Sequence, residues 1–182
     1  MSDAQPASVY DLTPDATPEN LATFAVLVDN EPGVLHRLVG LFAARGYNIE
    51  SLTVAETDRK AHTSRVTIVT RGTPQVLAQI EAQLEKMVST RHVQDITRDP
   101  NGLERELALV KVRGQGTDRV EALRVSDIFR AKVIDTTHES FVFEVTGAPS
   151  KIDSFIELMR PLGLVEVSRT GVLSIQRGVE VF

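Results

Sequence analysis

Asn30-Glu31-Pro32-Gly33-Val34-Leu35 carries the residue types best suited to binding chemistry. An apolar, β-favouring run from Leu21 to Val28 ends at Asp29. A Pro-Gly turn follows, and a helix-period pattern starts at Val34. A strand–turn–helix junction of this kind leaves backbone N–H groups pointing out of the helix N-terminus. They suit a small anion, including the carboxylate of a free amino acid. The Asn30 amide can both donate and accept. A side chain at Gly33 is expected to block close backbone approach. Arg45-Gly46-Tyr47-Asn48-Ile49-Glu50-Ser51-Leu52 is the second such stretch. Asn48 lies at the opposite end of the sheet from the Pro-Gly turn, yet meets Asn30 and Gly33 of another copy if two units pack side by side. Two Asn amides and helix N–H groups would then read an ammonium and a carboxylate. Val34, Leu35 and Ile49 would select an aliphatic side chain. Taken alone, Gly33 reads first as part of an ordinary βα turn and Asn48 as a helix-exit residue.

Other chemistry is poorly supported. His36, His62, His92 and His138 show no metal-ligand spacing, and there is no Cys to supplement them. Gly114-Gln115-Gly116 lacks the full phosphate-loop signature. Ser51, Ser64, Ser126 and Ser140 have no nucleophile-elbow context. No carboxylate pair stands out as an acid/base couple. A binding or regulatory protein is expected rather than an enzyme.

Elements must position these residues. Leu21–Val28 reads as a strand, Val34–Arg45 as a helix stopped at Gly46, and Tyr47–Glu56 as a strand. A tip at Thr57–Lys60 leads into the strand Thr63–Thr70. Thr73-Pro74 caps a helix carrying Val76, Leu77, Ile80, Leu84 and Met87. Val88–Thr97 closes the unit as a last strand. The order β-α-β-β-α-β gives an antiparallel sheet with both helices on one face, the ferredoxin-like arrangement. After Asp99-Pro100-Asn101-Gly102 the order repeats. Leu107–Val112 is a strand. Asp118 and Glu121 resemble a capping box opening a helix on Val120, Leu123 and Ile128. Lys132–Thr136 and Phe141–Val145 form a hairpin. Pro149 opens a helix on Ile152, Phe155, Ile156 and Met159. Val165–Val167 and Val172–Ile175 finish the unit. The fold class is α+β with two sequential ferredoxin-like units. The expected division is a flexible tail over 1–20, a first unit over 21–98, a linker over 99–105, a second unit over 106–178 and a tail over 179–182. Helices on one face leave the other face and the edges open, so a homodimer is expected.

The chain has 182 residues, 42% hydrophobic and 25% charged, with a net charge of -5. The acidic balance disfavours nucleic acid or an anionic membrane as partner. Aromatics at 5%, with no Trp, leave few stacking platforms. No apolar run reaches spanning length and no secretory signal is visible, so the expected location is cytoplasmic.

On Asp29–Leu35, Gly40-Leu41-Phe42, Arg45–Val54 and Ser64-Arg65 the first unit resembles an ACT domain. With Glu104–Leu107, Ile128–Ala131 and Arg169–Val172, the chain resembles the small regulatory subunits of acetolactate synthase. The resemblance covers nearly all of Leu21 to Gly178. It implies a non-catalytic subunit that activates a large catalytic subunit and confers feedback inhibition by valine, sometimes by leucine or isoleucine. It places thiamine diphosphate, Mg²⁺ and FAD on that partner and none of them on this chain. It puts the effector site on Asn30, Gly33, Val34, Leu35, Asn48 and Ile49, between ACT domains of a homodimer. Arg65 and Arg105 are candidates for contacting the large subunit. The alternative is a stand-alone ACT-type amino-acid sensor acting on another partner.

Overall fold

A computed structural model describes residues 18–58 and 60–179. Most of the proposed 1–20 tail, the Arg59 tip and the end of the 179–182 tail lie outside the described residues. The first unit runs β1 (Asn20–Asp29), α1 (Val34–Arg45), β2 (Ile49–Asp58), β3 (Thr63–Gly72), α2 (Pro74–Glu85) and β4 (Thr90–Asp95). Its sheet is antiparallel in the order β2-β3-β1-β4. The second unit runs β5 (Gly102–Arg113), α3 (Gly116–Phe129), β6 (Lys132–Thr136), β7 (Ser140–Gly147), α4 (Pro149–Met159), β8 (Leu164–Arg169) and β9 (Leu173–Gln176). The order β6-β7-β5-β8 repeats the first sheet, strand for strand. Two ferredoxin-like units in tandem are therefore present.

Alternation sets both cores. Phe24, Val26 and Val28 of β1 are fully buried. With Val66 and Ile68 they pack on Leu38 and Phe42 of α1 and Leu77, Ile80 and Leu84 of α2. Each such side chain contributes about 1.5–3 kcal/mol by leaving water. The second core places Val110, Phe143 and Val145 against Ile152, Phe155 and Met159 of α4. Phe143 and Phe155 meet edge to face at 6.1 Å and 86°. Thr73 caps α2, its hydroxyl accepting the Val76 N–H at 3.4 Å, with Pro74 in the first turn.

Four features differ from expectation. The N-cap of α3 is Gln115, with no side-chain cap, so Asp118 and Glu121 do not form a capping box. The helix buries Ala122, Val125 and Ser126, while Val120 and Ile128 are 60% and 76% exposed. Ala122, Val125 and Ser126 approach the sheet, and Val120 and Ile128 face out. Second, β4 begins at Thr90, and Val88 is wholly exposed. Third, the 99–105 segment is a short turn followed by strand. Asp99 braces it: its backbone carbonyl takes the Gly102 N–H, and its carboxylate takes the Asn101 N–H and the amides of Gln94 and Gln176 at 2.7–2.8 Å. Residues Gly102–Arg105 pair with β9, an added strand outside the four-stranded order.

Fourth, the helix-free face of the first sheet is not open. Thr23, Ala25 and Thr67 on that face are 0–3% exposed. The Gly171–Val172 turn of the second unit lies against it. The Ser51 hydroxyl of β2 accepts the Val172 N–H at 3.1 Å.

Candidate functional site

The β1–α1 turn is held from three sides. Asp29 and Asn30 donate their N–H groups to Ser89 and His62 carbonyls at 2.9 and 2.7 Å. Glu31 accepts from the Ser89 hydroxyl at 2.6 Å and pairs with Arg37, which also donates to Ser89 Oγ. The Ser89 and Arg37 hydrogen bonds hold the Glu31 carboxyl below the usual carboxylate range. Arg91 pairs with Asp29 at 2.6 Å. These bonds tie the turn to the entry of β3, to α1 and to the start of β4.

Gly33 is the N-cap of α1 at φ 86°, with no side-chain cap. A Cβ there would meet only Arg37 Nη1, at 3.6 Å. The expected crowding is therefore absent, and the left-handed backbone is what calls for glycine. The N–H groups of Leu35 and His36 have no partner among the described residues. They point out of the helix with the positive end of its dipole. Asn30 Nδ2 donates to Glu56 Oε1 at 3.3 Å, near the end of β2. Its Oδ1, without a partner among the described residues, is available to accept from an ammonium. Val34 is buried, and Leu35 is 40% exposed beside the turn.

Asn30, Gly33, Val34 and Leu35 are therefore together. Asn48 and Ile49 are not with them inside one chain. Asp29 aligns with Thr63 on β3, whereas Ile49 aligns with Thr70. At the rise of a strand this is a separation of about 24 Å. Asn48 is exposed, and its backbone carbonyl accepts from Thr70 Oγ1 at 2.6 Å. Ile49 packs partly on the first core. Arg65 is half-buried on β3, and burial pushes its guanidinium pKa down. Arg105 is exposed on β5. These two arginines lie on different units.

Sequence reasoning missed Arg37, Glu56 and Ser89. Ser89 meets Glu31 across 58 positions, so nothing local marks it. Arg37 stands one helical turn after Gly33, a spacing that could have suggested a brace.

Strand β2 is one of the two edge strands of its sheet, with β4 at the other edge. The site's loop lies by its C-terminal end and Asn48 by its N-terminal end. Three exposed apolar side chains lie on the two elements that flank the turn, Leu35 and Val39 of α1 at 40% and 37% and Val54 of β2 at 44%. The described residues contain no cluster of three His, Cys, Asp or Glu suited to a metal. No described helix is long and apolar enough to cross a membrane.

Family models match both units. One described as an AHAS small subunit-like ACT domain covers residues 24–92, and one described as the small subunit of acetolactate synthase covers residues 105–178. A probable acetolactate synthase small subunit of Archaeoglobus fulgidus is 46% identical over 86% of this chain and 96% of its own. The isozyme 3 small subunit of Salmonella typhimurium is 43% identical over 86% of this chain and 96% of its own. A crystal structure of the acetolactate synthase small subunit of Thermotoga maritima superposes with a TM-score of 0.77 at 38% identity. It covers 88% of this chain and 99% of that one. The first unit is an ACT domain, and the chain belongs to the family of acetolactate synthase small subunits.

Proposed function

We infer that this chain is the non-catalytic regulatory subunit of an acetolactate synthase, acting in the cytoplasm in branched-chain amino acid biosynthesis. In this reading it activates a thiamine-diphosphate-dependent large subunit, which carries thiamine diphosphate, Mg²⁺ and FAD, and it confers feedback inhibition by valine. Residues 21–98 form the effector unit, and residues 106–178 complete the chain after the 99–105 junction.

The observation that carries the effector site is the placement of the two half-sites at opposite ends of one edge strand. An isologous, antiparallel pairing of β2 with its copy brings Asn48 of each chain to the β1–α1 turn of the other. The Leu35 and His36 N–H groups then receive the valine carboxylate, the two Asn amides its ammonium and carboxylate, and Val34, Leu35 and Ile49 its isopropyl group. Pairing also covers the exposed edge and the Leu35–Val39–Val54 border. Regulation follows by linkage: valine favours the less active holoenzyme state because it binds that state better. A tenfold preference corresponds to about 1.4 kcal/mol.

The test is reconstitution with candidate large subunits, loaded with thiamine diphosphate, Mg²⁺ and FAD, assayed with and without each branched-chain amino acid. Addition of this chain should raise activity, and valine should lower it again. A stimulated holoenzyme indifferent to all three amino acids would remove the feedback role. Failure to stimulate any large subunit, with valine still bound, would favour a stand-alone sensor.

A further inference from the structure

Two stretches of the second unit, Glu104–Leu107 and Arg169–Val172, are left unused by the effector site. The structure brings them together at the seam between the units. Arg169 donates to both carboxylate oxygens of Glu106, Nε at 2.7 Å, and to Asp153 of α4 at 2.7 Å. Glu106 is 4% exposed. The Leu107 and Thr170 backbones bond at 3.0 Å, and the Leu107 N–H reaches Thr170 Oγ1 at 3.2 Å. The chain then turns at Gly171, with φ 84°. This turn presses on β2: a Cβ on Gly171 would lie 2.6 Å from Ser51 Oγ and 2.8 Å from Thr53 Oγ1. Only glycine fits so close an approach in that backbone region. The Val172 N–H completes the contact on Ser51 Oγ.

Ser51 is three positions beyond Asn48. Between Ile49 and Ser51 the β2–β3 register shifts, an irregularity at Glu50 where the ladder breaks step. Such a bulge lets one end of a strand be re-aimed relative to the rest. The segment from Asn48 into the start of β2 thus faces two ways. Asn48 and Ile49 belong to the effector half-site, and Ser51 holds the second unit. Beyond Ser51, a hydrogen bond reaches Val172, the backbone leads back through Gly171 to Arg169, and an ion pair joins Arg169 to Asp153 on α4.

We propose that the Ser51–Gly171–Val172 contact is the joint that transmits effector occupancy from the ACT dimer to the C-terminal unit. The proposal rests on the effector reading above. Valine drawn onto Asn48 and Ile49 shifts the start of β2 at the Glu50 bulge. That changes the seat of the Gly171 turn, and the Arg169 bridge carries the change to α4. Ser51 acts here as a positioning residue and touches no effector.

The experiment uses the full chain, alone and in the reconstituted holoenzyme, with Ser51→Ala and, from the other side of the contact, Gly171→Ala. Valine affinity is read by calorimetry, inhibition by activity, and the seam by hydrogen exchange at the Val172 amide. In the unaltered chain valine should change exchange at Val172. Ser51→Ala should bind valine within about twofold of the unaltered chain and activate the large subunit normally. It should need about tenfold more valine for half-inhibition and lose the valine-dependent exchange change. Gly171→Ala should show the same separation of binding from inhibition. Normal inhibition in both variants, or loss of valine binding in Ser51→Ala, would overturn the joint while leaving the effector site standing. An unaltered chain that binds no valine would overturn both.

Discussion

Gly33 concentrates the residue-scale argument. Its positive φ opens α1, and with no side-chain cap there the Leu35 and His36 N–H groups have no partner among the described residues. An aspartate there would be strained, and its carboxylate would sit at the positive helix end where the effector's belongs. Gly33→Asp should abolish valine inhibition of the holoenzyme while activation persists. A variant that stays fully valine-sensitive would dismiss the assignment. Glu31 gives a pH signature. Its folded pKa is depressed by Ser89 and Arg37, so its stabilising effect is present above the unfolded carboxylate value and is lost as pH falls through the lower, folded one. Glu31→Gln should lower the melting temperature slightly at pH 7. The gap to the unaltered chain should narrow as pH falls below the ordinary glutamate value of about 4.3 and vanish once the lower, folded pKa is passed. Melting curves whose separation ignores pH would show that the carboxylate charge does not brace the turn.

At the scale of elements, the buried Glu106 makes the Arg169 bridge more consequential than ordinary surface pairs. Arg169→Ala strands a carboxylate that is 3% exposed and should cost about 3–5 kcal/mol by denaturant unfolding. Lys111→Ala, which removes the exposed pair with Glu166, should cost less than about 1 kcal/mol. Equal losses would mean that the seam carries no special share of stability. Helices α1, α2 and α4 were legible because their apolar residues recur at 3.6 spacing and their ends carry Gly33, Thr73-Pro74 or Pro149. Helix α3 was placed, but its cap and its buried face were not. It packs through Ala122, Val125 and Ser126, with Leu123 partly buried, so Val120 and Ile128 of the expected stripe mislead. The pairing of β9 with the start of β5 and the Asp99–Gln176 bond were hidden, because both join residues about seventy positions apart.

For the whole molecule, the turn that carries Asn30 to Leu35, one half of the proposed site, could be read locally. Its completion by Asn48 could not be located without two copies, since one chain holds the halves at opposite ends of β2. The account therefore requires a dimer through that edge, and a standard interface buries about 800 Å² per partner. Val54→Lys, at an exposed edge position, should shift sedimentation toward monomer and weaken valine binding together. A variant that remained dimeric and bound valine normally would place the contact elsewhere. The most direct measurement is complementation between copies. Gly33→Asp and Asn48→Ala chains should each bind valine poorly when alone. Co-expressed, they form mixed dimers in which one site joins an intact turn to an intact Asn48, so calorimetry should recover one functional site per mixed dimer. Mixed dimers that bind no valine at all would contradict a site shared between chains.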